Sequence, residues 1–200
     1  MAIVIVCDQK DSSTQPDLVE AISDELNRRY GGQLALPLVR TAGDEMQALI
    51  GEADGLAPLA ADLLEGHSWW VGIGLGAVNR RGATSRESAG PAFQAARIAI
   101  EAAKHDRRSP GPLAVRGRPE RLAAWLQATL GALDYIRNGR TARQREVVHT
   151  VARSPSAKAA AERLGVSPQT VSRTLAAAGY EPEAQLVTMI NDLAAEAIAD

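Results

Sequence analysis

The sequence predicts an α+β fold. A ferredoxin-like, palm-like antiparallel sheet domain is expected over residues 1–117, followed by an all-α domain over residues 118–200 with a helix-turn-helix at about 154–180. Three observations predict this. Short apolar, β-branched runs alternate with helical periodicity as far as Val115. From Pro119 onward the periodicity is helical throughout. Residues 154–180, SPSAKAAAERLGVSPQTVSRTLAAAGY, read as a helix, a tight turn and a second helix.

Taken in order, Ala2 to Cys7 is a short apolar run and reads as a buried central strand. Thr14 is placed to cap a helix from Asp17 to Tyr30, in which Leu18, Ile22 and Leu26 recur at helical spacing, and Gly31-Gly32 ends it. Leu34 to Thr41 is a strand whose Pro37 suggests an edge or a bulge. The turn Ala42-Gly43-Asp44 returns the chain as Glu45 to Ile50, so residues 34–50 read as a hairpin, although MQALI alone could equally start a helix. Gly55 to Leu64 is helical. Trp69 to Val78 is a strand in which Gly72, Gly74 and Gly76 alternate with apolar residues, which suggests close packing or the approach of a ligand, packing by a helix being the commoner cause. Asn79 to Gly90 is polar and reads as a mobile loop. Pro91 to Lys104 is a helix with a small-residue face, Ser109-Pro110-Gly111-Pro112 breaks the chain, and Leu113 to Val115 adds a last strand. The order β-α-β-β-α-β-α-β implies an antiparallel sheet with helices on one face.

In the second half, Leu122, Trp125, Leu126 and Leu130 share one face of a helix that links the two domains or packs inside the second. Thr141 to Val151 is a helix that supports the helix-turn-helix. Leu186, Ile190 and Leu193 share a face of the last helix, which docks on the second domain or pairs with a copy of itself.

Composition sets bounds. Two hundred residues suit one large domain or two small ones, and 46% hydrophobic content suffices for a core. No apolar run approaches bilayer length, and the start, MAIVIVCDQKDSS, reads as a strand rather than a signal peptide. Cys7 is the one cysteine, which excludes an internal disulfide and fits the cytoplasm. Placed in the first strand, it reads as a core thiol rather than a nucleophile. Charge is divided unevenly. Residues 1–106 hold 9 Lys+Arg and 15 Asp+Glu (−6), residues 107–180 hold 13 and 4 (+9), and residues 181–200 hold 0 and 5 (−5), summing to −2. A basic segment around a helix-turn-helix is the footprint of nucleic-acid binding. The Arg-rich stretches at Arg107-Arg108 and Arg116 to Arg121 are phosphate contacts or a solvated basic face.

Within residues 154–180, Ser154 or Ser156 caps the first helix, Gly165 supplies its left-handed end, and Ser167-Pro168 restarts the chain. Ala161 sits where two helices approach, and Leu164, Val166 and Val171 fill the small core. Thr174 is more polar than that core wants, and Leu175 shares its task. The exposed face of the second helix carries Ser167, Gln169, Thr170, Ser172 and Arg173. Gln and Arg read purine edges, and Ser or Thr bind phosphate or base. The alternative is an ordinary helical hairpin.

Asp8 ends the first strand and Asp44 lies in the hairpin turn, with Asp11 and Glu45 near them in sequence. In a ferredoxin-like sheet those strands can be neighbours, and paired carboxylates are what Mg²⁺ needs. The alternative is that all four are turn and cap residues. The segments IVCDQKDSS, RTAGDEMQAL, WWVGIGLGAV and GPAFQAARIAIEAAK resemble those of class III nucleotide cyclases and GGDEF-type diguanylate cyclases. They are more similar to the bacterial SatD-like proteins, in which a first-strand Asp motif precedes a G-D-E-x-Q hairpin. The resemblance covers residues 1–105 and extends to the helix-turn-helix behind them. It implies metal-binding roles for Asp8 and Asp44, with Mg²⁺ or a nucleotide as ligand. Two departures weigh against cyclisation. Ala42 stands where diguanylate cyclases have glycine, and if Arg97 matches the cyclase Arg, Phe93 occupies the position of its Asn.

His67, His105 and His149 lack metal-ligand spacing, and no phosphate-binding loop is present. Three functions fit, in this order. The first is a transcriptional regulator that binds double-stranded DNA, with a degenerate cyclase-like domain for ligand sensing or assembly and a possible homodimer. The second is a protein-interaction module. The third is a metal-dependent nucleotidyl enzyme targeted by its helical half.

Overall fold

The computed structural model describes residues 1–106 and 111–199; the Arg107-Arg108 pair and the Ser109-Pro110 part of the expected break lie outside the described residues. The strands are β1 (Ala2–Gln9), β2 (Leu34–Ala42), β3 (Glu45–Ile50), β4 (Trp69–Gly76) and β5 (Leu113–Gly117). The helices are α1 (Val19–Tyr30), α2 (Leu56–Leu64), α3 (Pro91–His105), α4 (Glu120–Asn138), α5 (Ala142–Ala152), α6 (Ala157–Leu164), α7 (Pro168–Ala177) and α8 (Tyr180–Ala199). The fold is α+β. One five-stranded sheet runs in the order β2-β3-β1-β4-β5, and its first four strands have the ferredoxin-like arrangement.

β1 is central because nearly every residue in it is apolar and both its edges are paired, antiparallel to β3 and to β4. β5 pairs parallel to β4, so the sheet is mixed rather than wholly antiparallel as expected. The connection through α3 is long enough to carry the chain back to the same end of the sheet, which two-residue turns cannot do.

Helices cover both faces, not one. Successive strand residues point to opposite faces. Ile3, Ile5 and Cys7 therefore enter a large core with α1, α2, α4 and α8, while Val4 and Val6 meet Ala92, Ala96 and Ile100 of α3 on the other side. The alternating glycines of β4 explain how α3 comes so close. A Cβ at Gly72 would lie 2.8 Å from the Ala96 carbonyl oxygen, and one at Gly76 would lie 2.8 Å from the Ala92 nitrogen.

α4 and α8 belong by their packing to the sheet. Leu122, Leu126, Leu130 and Leu133 of α4, with Ile190, Leu193 and Ala194 of α8, share the large core with β1 and β4. A separate small core joins α5, α6 and α7 through Val147, Ala161 and Val171, with Leu164, Val166 and Leu175 packed against it. The joint between the two cores is ionic. Glu183 of α8 accepts hydrogen bonds from Arg137 Nε at 2.6 Å and from Arg140, whose own Nε donates to the Ala178 carbonyl at 2.8 Å.

Two local expectations change. Thr14 does not cap α1: its hydroxyl donates to the Asp11 carbonyl at 3.1 Å. The free N–H groups at the start of α1 are met instead by Gln9 Oε1, which accepts from Leu18 N, and by Asp17 Oδ1, which accepts from Val19 N. The segment 79–90 is not a loose loop. Ser85 is fully buried and locks it to β3: its hydroxyl donates to the Gln47 carbonyl at 2.8 Å, and Gln47 Nε2 donates to the Ser85 carbonyl at 3.0 Å. No helix among the described residues is long and apolar enough to cross a membrane.

Candidate functional site

On the α3 side of the sheet lies a cleft of about 730 Å³. Its floor is Val6, Glu45 and Gln47, one wall is Ser85 and Arg86, and the other is Phe93, Gln94 and Arg97 of α3. Ligand clefts are typically of this size, with few polar groups on a largely apolar lining.

The expected acidic residues are divided by this geometry. Asp8 and Glu45 are cross-strand partners. Strand alternation puts both on the face of Val4 and Val6, beneath α3. Each meets a cation there. Asp8 Oδ2 pairs with Lys104 Nζ at 2.6 Å, and Glu45 pairs with Arg97 and accepts from the Thr41 hydroxyl. Arg97 and Lys104 are two helical turns apart, so α3 sets one basic residue over each acid. Asp44 lies half-buried in the hairpin turn, where its carbonyl accepts from Gln9 N at 3.2 Å. Asp11 is exposed, with φ of 53° and its carbonyl accepting from Thr14 N and Gln15 N. Among the described residues, no group of three or more His, Cys, Asp or Glu is placed to hold a metal ion. The residues present therefore do not fit a resident cation between Asp8 and Asp44. A divalent ion would have to displace Lys104, a partner that already neutralises the Asp8 carboxylate.

What the cleft offers is binding. Glu45 is 6% exposed, whereas the Arg97 side chain is 64% exposed. One guanidinium nitrogen is thus anchored on a buried carboxylate while the rest of the group faces the opening. An Arg fork held this way is pre-organised for a planar or anionic ligand. The side chains of Arg86 and Gln94 are exposed and make no hydrogen bond or ion pair among the described residues, and the half-buried Phe93 ring supplies an apolar surface. The Ser85 hydroxyl is already engaged, and Cys7 faces the opposite core. Burial raises the Cys7 thiol pKa well above its ordinary value, and the Glu45 and Asp8 carboxylates push it the same way. Cys7 is therefore expected to resist alkylation in the native protein and to react at the rate of global unfolding. Rapid modification of the folded chain, followed by mass spectrometry, would contradict this.

Sequence reasoning missed Arg97 and Lys104 as partners of the acids, it missed Ser85 and Arg86 altogether, and it met Gln47 only as the last residue of the G-D-E-x-Q motif, with no role. The signal for the first two was present: a basic i, i+7 pair on the helix after the glycine strand, opposite two acids on adjacent strands. For Ser85 there was none, because a serine in a polar loop carries no mark of burial.

The second feature is the α6–α7 pair. Ser156 caps α6 by accepting from Ala159 N at 3.1 Å, and Gly165 ends it with φ of 64°. Ser167 caps α7 by accepting from Thr170 N at 3.2 Å, with Pro168 as the first helical residue. The Thr174 hydroxyl donates to the Thr170 carbonyl at 2.9 Å, which settles its polar group while Leu175 fills the core. Ser167 and Thr170 thus spend hydrogen bonds on the helix start. The side chains of Gln169, Ser172 and Arg173 are exposed on α7 and make no hydrogen bond or ion pair among the described residues. Residues 140–180 carry seven Lys or Arg against two Glu, a balance of +5.

Fold and site together define an α+β protein with a palm-like sheet, a ligand-sized cleft under one helix and a helical C-terminal region. The chain belongs to the SatD family, whose profile matches residues 5–181. No curated protein matches it. A crystal structure titled as a regulator of polyketide synthase expression, from Bifidobacterium adolescentis, aligns over 98% of this chain and 85% of its own at 15% identity, with a TM-score of 0.33. A likeness at that level carries no inference about this chain.

Proposed function

We propose that the chain is a cytoplasmic transcriptional regulator that binds double-stranded DNA through a helix-turn-helix, α6–α7, braced by α5. In this reading α7 enters the major groove, and the palm-like body takes a small ligand in its cleft. The observation that carries the reading is the outer face of α7. Gln169, Ser172 and Arg173 stand exposed and uncommitted on one side of a helix whose other side is buried through Val171 and whose start is fixed by the Ser167 cap. Side chains of these types, at helical spacing, read base edges and phosphates. The surrounding charge of +5 supports the same reading by drawing the unit to the phosphate backbone. Ser167 and Thr170 serve it indirectly, by fixing the start of α7.

The test is duplex binding by the full chain at several salt concentrations. Affinity is expected to fall linearly on a log–log plot, with a slope of about −0.9 for each phosphate contacted. On a selected sequence, Arg173→Ala and Gln169→Ala are each expected to weaken binding by roughly tenfold or more, at about 1–3 kcal/mol per base contact. Their melting temperatures should stay near the wild-type value, because both side chains are exposed and make no hydrogen bond or ion pair among the described residues. Absence of duplex binding at low salt would sink the proposal, as would wild-type affinity in both variants.

A further inference from the structure

The outer face of α4 is out of keeping with a solvent-facing helix. Its inner side is buried in the large core. Its outer side shows Ala124, Trp125, Ala128 and Tyr135 exposed and Gly131 and Ala132 half-buried, with no charged residue between Arg121 and Asp134 at any position. Trp125 is 49% exposed and Tyr135 82%, and Met189 on the neighbouring α8 is 51% exposed. A helix that is apolar on both sides has a second partner.

We infer that this partner is a second copy of the chain, with the two α4 helices packed antiparallel about a two-fold axis through Ala128. The pattern is closed under that operation. Position i of one copy meets position 256 − i of the other. Ala128 faces Ala128, Ala124 faces Ala132, Trp125 faces Gly131, and Arg121 faces Tyr135. Every large group then meets a small or complementary one. A Cβ at Gly131 would meet nothing within 4 Å, so the position is an open notch for the indole. Arg121 already stacks its guanidinium 4.2 Å from the Trp125 ring centre and can offer its edge to the partner's Tyr135. Small residues at the crossing let the backbones approach. This self-matching is what an isologous interface requires.

Charge and area agree. The stretch of α4 between Arg121 and Asp134 carries no charge, Arg121 at its margin is already paired with Glu196 at 2.8 Å, and Asp192 is the one charged residue lining the adjoining groove, so like-charge repulsion at the crossing is small. At about 150–250 Å² per aromatic side chain, the two exposed rings offer on the order of 250–300 Å² per copy. With the alanines and the adjoining groove between α4 and α8, which is lined by Met189 and Leu193, the two copies together approach the roughly 1,000 Å² that a specific interface needs.

The test is the solution mass of the full chain by sedimentation equilibrium, which requires no DNA and so succeeds or fails apart from the DNA-binding reading. The expected species is a dimer of the 21.1 kDa chain. Ala128→Glu sets two carboxylates against each other at the axis, on an exposed helical position, and is expected to give monomer with an unchanged circular dichroism spectrum. Mixing Ala128→Glu with Ala128→Lys is expected to restore a dimer. A wild-type chain that is monomeric at all concentrations overturns the inference. So does an Ala128→Glu chain that dimerises as wild type, or a folded mixed pair that does not associate.

Discussion

Glu183→Ala is expected to cost about 3–5 kcal/mol in a urea titration, which is a large share of a typical domain's stability. The expectation comes from where the carboxylate sits. Glu183 is 8% exposed and bridges Arg137 and Arg140, and Arg140 is itself 8% exposed. The gain from assembling such a group is small, because desolvating three charges offsets most of their attraction. Removing one partner is another matter. Arg140 would keep its charge in a largely buried position, with the Ala178 carbonyl the one acceptor left to its side chain among the described residues. Surface pairs such as Arg143–Glu146 carry no comparable penalty, since both partners return to water. Glu183→Gln keeps one acceptor and should lose roughly half as much. The functional consequence is specific. Arg137 also lies 4.0 Å from Asp62 of α2, which accepts from the Tyr30 hydroxyl at 2.6 Å. Burial, reinforced by that carboxylate, pushes the Tyr30 phenol up to about 12. The same network thus ties the sheet layer to the α5–α7 unit. Hydrogen exchange in Glu183→Ala should rise in α5–α7 before it rises in β1. A loss below about 1 kcal/mol, or exchange that rises evenly through the chain, would refute this account of the joint.

The legible and illegible parts of this molecule divide along a physical line. Periodicity and turn chemistry are local, and they located the strands and most of the α-helices to within a few residues, though not the end of α4 or the short 3-10 turns. The glycine alternation in β4 even announced that a backbone packs on it. The hidden part depended on which distant residues meet. Nothing in PAFQAARIAIEAAKH states that α3 lies on the face opposite α1 and α2, because its small-residue side suits either layer. That choice puts Arg97 and Lys104 above Glu45 and Asp8. Two acids that read in sequence as metal ligands are thereby each given a cation from the protein. Likewise Glu183 looked like one of several acids in a negatively charged tail, and only the fold shows it inserted between two arginines. The cap of α6 and the left-handed turn at Gly165 were legible because each needs only its neighbours.

Gly74→Ala is expected to be at least as damaging, at roughly 3 kcal/mol or more. Overpacking a core ordinarily costs about 1–3 kcal/mol because side chains can turn aside. Here there is no side chain to turn. The added Cβ would lie 2.7 Å from Ala96 Cα and closer still to Ala92 O and Ala96 N, all of them backbone atoms of α3. The helix can only move as a body, and moving it uncovers Val4, Val6 and Ile100. It also carries Phe93, Gln94 and Arg97 away from the sheet, so the cleft loses a wall and Glu45 loses its cation. A buried acid without a partner adds its own penalty to the steric one. Gly32→Ala provides the control, since a Cβ there meets nothing within 4 Å, and it is expected to leave stability within about 0.5 kcal/mol of wild type. If Gly74→Ala melts like Gly32→Ala, then α3 is not seated on β4 as described, and the cleft built between them fails with it.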